Sequence, residues 1–179
     1  MSKAASTVLF GEVVVPHLSD ALSLARWLTG NKADAEDVVQ EACLKAYAGL
    51  GGFSGGNSRA WMLTIVRNAS YTWLLRNRTK NVVAVGNLDD LDQLASANDK
   101  GGFENCNAEA TLIEKANTAE LEKAISVLPQ QFREALVMRD ITGLSYREIA
   151  TIMEVPIGTV MSRLARARSL LASQLRRGS

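Results

Sequence analysis

Arginine, set on helical repeats with no acid beside it, is the residue type in this chain best placed to do chemistry, and that chemistry is charge recognition. From Ile157 to Ser179 stand Arg163, Arg166, Arg168, Arg176 and Arg177 without an acid, formally +5 in a chain of 179 residues whose net charge is +1. A second run, Ser58 to Lys80, holds Arg59, Arg67, Arg76, Arg78 and Lys80, again +5 without an acid, with Tyr71 and Trp73 among them. Positive charge concentrated in one segment of a near-neutral chain marks polyanion binding. Basic residues interleaved with aromatics suit single-stranded nucleic acid, where phosphates meet charge and bases stack.

Residues for bond-making chemistry are not assembled. His17 is the one histidine and follows a proline near a helix start, where a surface or capping role suffices. Cys43 and Cys106 stand far apart without zinc-ligand spacing, and isolated cysteines are usually structural, with a redox switch as the lesser alternative. The glycine-rich run from Ala48 to Asn57 lacks the Lys-Ser/Thr ending of a phosphate loop and reads as a turn. With no nucleophile and base in a recognisable pattern, the expectation is no enzyme, no metal and no cofactor.

The elements that must position the arginines are helical. Ser145 and Glu148 form a capping box ahead of Ile149, Ile152 and Met153, which predicts a short helix from Tyr146 to Glu154. Pro156 stops that helix and suits the entry to a new one, where Val155 and Val160 have staple spacing. Val160, Leu164, Ala167 and Leu171 then form a buried stripe, and the opposite side carries Gly158, Ser162, Ala165 and Ser169 with Thr159, Met161 and Arg166 at its edges. Two short helices, a tight turn and a basic second helix predict a helix-turn-helix whose second helix enters the major groove. The alternative, a basic amphipathic helix with solvated arginines, accounts for the charge but not for the cap, staple and proline break together.

Upstream, Thr118 caps a helix carrying Leu121, Ala124, Ile125 and Leu128, and Pro129 starts another with Phe132, Leu136 and Met138 that ends near Gly143. Leu18, Leu22, Ala25 and Leu28 predict a helix closed by Gly30. In the next helix Val38, Ala42 and Tyr47 face inward and Asp34, Glu36, Asp37, Gln40 and Glu41 outward, acids that the helix dipole alone explains. Ser58 to Arg78 predicts a long helix with Trp61, Ile65, Ala69 and Trp73 along its inner stripe. From Asn81 to Glu122 nine acids face two lysines, a formal −7, and residues 81–117 read as an acidic flexible linker. The fold class expected is all-α: two small helical domains, 1–80 and 118–179, the second a helix-turn-helix. No apolar run approaches the ~20 residues of a membrane span and the N-terminus lacks a small-residue cleavage site, so a cytoplasmic protein without membrane insertion is expected.

With these segments in view, the chain from Pro16 to Leu175 resembles a bacterial RNA polymerase sigma factor of the extracytoplasmic-function type. The resemblance is carried by DAEDVVQEACLKAY (Asp34 to Tyr47), WMLTIVRNAS (Trp61 to Ser70) and the stretch from Leu128 to Arg168. It implies that residues 1–80 bind core polymerase and read the minus-ten element, and that 118–179 read the minus-thirty-five element. It implies polymerase contacts at Asp37, Gln40 and Glu41, on the clamp helices of the largest catalytic subunit. It also implies melted-strand contacts at Arg67, Asn68, Tyr71, Thr72 and Arg76, with Asn68 at the position that captures a flipped-out base. Upstream duplex contacts fall on Thr159, Met161, Ser162, Arg163, Ala165 and Arg166. Met161 stands where a basic residue is frequent in such proteins, Ala165 where a larger one is, and Thr72 and Trp73 where Asp and Arg are. An anti-sigma partner and a place in stress-responsive transcription belong to the same implication. Two other functions fit less of the chain: a free-standing helix-turn-helix regulator leaves Asp34 to Arg78 unexplained, and a sigma mimic that titrates an anti-sigma protein has no need of Arg163, Arg166 and Arg168.

Overall fold

The all-α expectation is met by the computed structural model, which describes residues 3–78 and 118–178; among these every regular element is helical. The linker expected at 81–117 lies outside the described residues. The first unit contains α1 (Lys3–Val13), a 3-10 turn (Val15–His17), α2 (Leu18–Thr29), α3 (Lys32–Gly49), a second 3-10 turn (Leu50–Gly52) and α4 (Ser58–Arg78). The second contains α5 (Thr118–Ser126), α6 (Gln130–Leu136), a π-helical turn (Val137–Ile141), α7 (Tyr146–Met153) and α8 (Ile157–Gly178).

Local chemistry sets most boundaries. Gly30, at φ +92°, supplies the left-handed residue that ends α2, where a side chain would be strained. Asn31 then caps α3 by accepting the Asp34 N–H at 2.9 Å, and Asn57 caps α4 by accepting that of Ala60 at 2.9 Å. At α7 the capping box forms as its residues require: Glu148 N–H donates to Ser145 Oγ (3.2 Å) and Ser145 N–H to Glu148 Oε2 (2.7 Å). Glu154 closes α7 at φ +56°, a left-handed conformation that costs a non-glycine residue about 1 kcal/mol or more. Pro156, two residues on, cannot continue the helix, since it has no N–H to donate.

The α2–α3–α4 core is built on Ala21, Leu24, Ala25, Leu28, Val38, Ala42, Leu63 and Val66; the second unit packs Ile125, Leu136, Met138, Ile149, Ile152, Val160, Leu164 and Leu171. The two units are not apart. α6 packs on α2 and α7 on α4, so their buried residues form one cluster.

Four expectations need correction. Leu22 and Tyr47 are 40% and 41% exposed, because each lies past the edge of its helix's buried arc. In α4 the buried line is Met62, Val66, Ala69 and Ser70, while Trp61, Ile65 and Trp73 are half-buried; a stripe of large residues at steps of four drifts by about 40° per step, and Met62 lies nearer the true axis. Ser70 tolerates burial because its hydroxyl donates to Val66 O at 2.9 Å. The helix expected to run from Pro129 to Gly143 widens into a π turn whose close is the Thr142 N–H bond to Val137 O at 2.9 Å. Finally, α1 was not expected. Lys3–Thr29 is, by length and composition alone, long and apolar enough to cross a membrane, but its helix is interrupted at Pro16 and it contributes Ala21, Leu24, Ala25 and Leu28 to the core.

Candidate nucleic-acid interface

α8 turns one side of its N-terminal half outward because the other side is consumed by packing. Val160, Leu164, Ala167 and Leu171 are buried against α6 and α7, which turns Met161, Ser162 and Ala165 outward and leaves Thr159, Arg163 and Arg166 half-buried at the margins. Ile157 joins the exposed side and was not foreseen, since its type suggests core. The Ser162 hydroxyl donates to Thr159 O at 3.0 Å. Arg168, one of the five arginines of the basic run, is tied down: its Nη2 and Nε donate to the Asp140 carboxylate at 2.8 and 3.3 Å. Its first task is therefore to hold α8 against the π turn.

On α4 the sequence-predicted residues share one side. Arg67, Asn68, Tyr71, Thr72 and Arg76 recur at steps of three and four, and Asn68 is exposed. Thr72 Oγ1 donates to Asn68 O at 3.0 Å. Arg67 and Tyr71, however, are already engaged. Arg67 Nε and Nη2 each donate at 3.0 Å to Glu134 of α6, and Tyr71 Oη donates to the same carboxylate at 2.7 Å. Arg67 also lies 4.7 Å over the Tyr71 ring. Burial first, and the Glu134 charge second, hold the Tyr71 hydroxyl well above the usual phenol range, so it stays a donor.

The acidic side of α3 divides in the same way. Asp37 and Gln40 are exposed, while Glu41 pairs with Lys45 Nζ at 2.8 Å and lies 3.8 Å from Arg76 Nη1. The Lys45 hydrogen bond, ahead of the charges of Lys45 and Arg76, holds the Glu41 carboxyl below its usual range. Leu44, 73% exposed and one turn along from Gln40, belongs to this patch and was missed; its signal was an apolar residue on an otherwise polar helical side. His17 Nε2 lies 2.9 Å from Ser58 Oγ, which fastens the first 3-10 turn to the start of α4. Burial pushes the Cys43 thiol up, the behaviour of an inert side chain.

Comparison with known proteins assigns both units. The family model described as Sigma-70 region 2 matches residues 13–80, and that described as Sigma-70, region 4 matches residues 118–171. The chain is 34% identical over 176 residues to the RNA polymerase sigma-H factor of Pseudomonas aeruginosa, across 93% of this chain and 86% of that protein. It is 38% identical over 152 residues to the ECF RNA polymerase sigma-E factor of Escherichia coli, across 79% of this chain and 74% of the relative. Among solved structures, the sigma factor RpoE in complex with the anti-sigma factor NepR from Bartonella quintana superposes with a TM-score of 0.68 at 26% identity, covering 93% of this chain and 96% of that one. The fold is shared also with CnrH, solved with the cytosolic domain of CnrY, at a TM-score of 0.59 and 23% identity.

Proposed function

The chain belongs to the extracytoplasmic-function class of bacterial RNA polymerase sigma factors, and from that premise we infer how its surfaces divide the work. As a member of that class it binds core RNA polymerase and directs it to promoters. We assign core binding to the exposed side of α3, with Asp37 and Gln40 as the polar contacts, Glu41 at the margin and Leu44 as the apolar one. The outward side of α4 takes the melted minus-ten strand, with Asn68 receiving an unstacked base and Arg67, Tyr71, Thr72 and Arg76 holding strand and phosphates. The outward side of α8 takes the minus-thirty-five duplex through Thr159, Met161, Ser162, Arg163, Ala165 and Arg166. On this reading residues 1–80 and 118–179 act as two readers joined by an acidic linker at 81–117, in the cytoplasm, without bond-making chemistry.

The observation that carries this reading is the division of α8. Its apolar arc is spent on the helix-turn-helix core and its opposite arc, small and polar with arginines at the edges, stays outward. A free-standing regulator would need that arc too, but not an exposed acidic and apolar side on α3. An anti-sigma partner is part of the proposal, since the sigma factor RpoE, whose fold this chain shares, has been solved with the anti-sigma factor NepR. Run-off transcription from a promoter library with purified core enzyme tests it: the chain should produce discrete transcripts that core alone does not. Promoter binding without any transcript would favour the free-standing regulator.

A further inference from the structure

The carboxylate of Glu134 has no exposed surface, yet the three hydrogen bonds described for it all come from the other unit: Arg67 Nε and Nη2 at 3.0 Å and Tyr71 Oη at 2.7 Å. Its shelter and its partners depend on the second unit lying against α4. A guanidinium fork closed on two carboxylate oxygens has the geometry by which arginine grips a phosphate, and Tyr71 completes the same anion pocket. Glu134 thus occupies, from within the chain, the place that a nucleic-acid phosphate would take on two of the proposed minus-ten residues.

Further polar cross-links line the seam around this contact. Asn57 Nδ2 donates to Glu148 at 2.8 Å, Arg59 donates to Thr142 O, and Arg133 Nη1 donates to Trp27 O at 3.2 Å. The buried polar atoms left without a partner among the described residues are Gln130 Nε2, Arg133 Nε and Thr142 Oγ1, two of them on residues that make those cross-links. Buried ion pairs and incompletely satisfied polar groups contribute little net stability, so these polar links add little to the apolar packing of α6 on α2 and α7 on α4 that also joins the units. Separation is also demanded by geometry. Elements centred about 25 base pairs apart lie about 85 Å apart at 3.4 Å per base pair, whereas here α7 packs directly on α4.

We propose that Glu134 is an autoinhibitory latch: by holding Arg67 and Tyr71 it keeps the free chain closed and competes with the promoter strand, and it is released when the two units are drawn apart. The proposal rests on the assignment of Arg67 and Tyr71 to the minus-ten strand.

The test uses the full-length chain without polymerase and, as probe, a fluorescent single strand carrying the minus-ten sequence of a promoter it transcribes. Glu134→Gln removes the charge and should bind the strand about tenfold more tightly than the wild type, with a larger radius of gyration by small-angle scattering. Arg59→Ala, which loosens the seam while leaving Glu134 and Arg67 in place, should shift both quantities in the same direction and decides the matter if Glu134→Gln fails to fold. Unchanged strand affinity in the folded variants overturns the latch, whether or not the chain expands. That result is distinct from failure of the underlying assignment, which would appear as normal promoter opening by holoenzyme carrying Arg67→Ala.

Discussion

Arg168 of α8 and Asp140 of the π turn are joined by two hydrogen bonds, at 2.8 and 3.3 Å, which gives this arginine a structural role distinct from the DNA contact proposed for Arg166 on the same helix. Arg168 lies beside the buried stripe of Leu164, Ala167 and Leu171, and Arg166 on the opposite edge, near Ser162 and Ala165. Arg168→Ala should lower stability by about 1 kcal/mol, the upper range for a partly exposed pair. Promoter affinity per folded molecule should stay close to that of the wild type. A loss of DNA affinity as large as that of Arg166→Ala, at equal folded fraction, would contradict the division.

Arg166→Ala should weaken promoter binding in one of two ways. A base contact predicts a cost of about 1–3 kcal/mol and relaxed preference at one upstream position, while a phosphate contact predicts a uniform loss and a salt slope smaller by about one. Titration against promoter variants at two salt concentrations separates them, and unchanged affinity removes Arg166 from the interface.

The α3 surface predicts a different phenotype. Asp37→Lys and Leu44→Ala alter exposed side chains, so stability should move by no more than about 0.5 kcal/mol, while binding to core polymerase in a competition assay weakens for both. Glu41 pairs within the chain through Lys45 and Arg76, so its reversal perturbs two things at once and Asp37 is the cleaner probe. Normal core binding by a folded Asp37→Lys, Leu44→Ala double variant would move the polymerase site elsewhere.

Glu148 links stability to pH. Burial alone would raise its carboxyl, but the hydrogen bonds from Asn57 and from Ser145, with the Arg59 charge nearby, outweigh it and leave the group below its ordinary value of 4.5. A folded-state pKa below the unfolded one contributes stability that is complete above 4.5 and is lost as pH falls through the folded value. Glu148→Gln should therefore be less stable than wild type at neutral pH, with the gap closing in acid below that window. Ser145→Ala, which removes the reciprocal cap, should cost about 1 kcal/mol at neutral pH. Paired thermal melts at pH 7 and pH 3 measure both effects, and a gap that persists unchanged in acid would contradict the linkage.

What could be read in advance follows the range of the interactions involved. The capping box at Ser145 and Glu148, the Gly30 stop, the restart at Pro156 and the α8 stripe are local, set by residues within a few positions, and they stand in the structure where the sequence places them. The buried line of α4 runs one residue round from the stripe that the bulk of Trp61 and Trp73 suggests, on the helical average that Met62 and Val66 define. The partner of Arg67 could not be read at all. Glu134 looks like an exposed acid on an amphipathic helix until the second unit is brought against the first, and its contact with Arg67 spans 67 positions of chain. Leu44 was legible as an oddity, but its exposure was not.

Permanganate reactivity of thymines in the minus-ten region is the most direct measure of the central claim, that this chain carries polymerase to a promoter and holds the opened strand on α4. Core enzyme with the wild-type chain should produce reactive thymines there that core alone does not, and Asn68→Ala should reduce that reactivity at undiminished recruitment. Reactivity absent with the wild-type chain, or undiminished in a folded Asn68→Ala, would contradict the account.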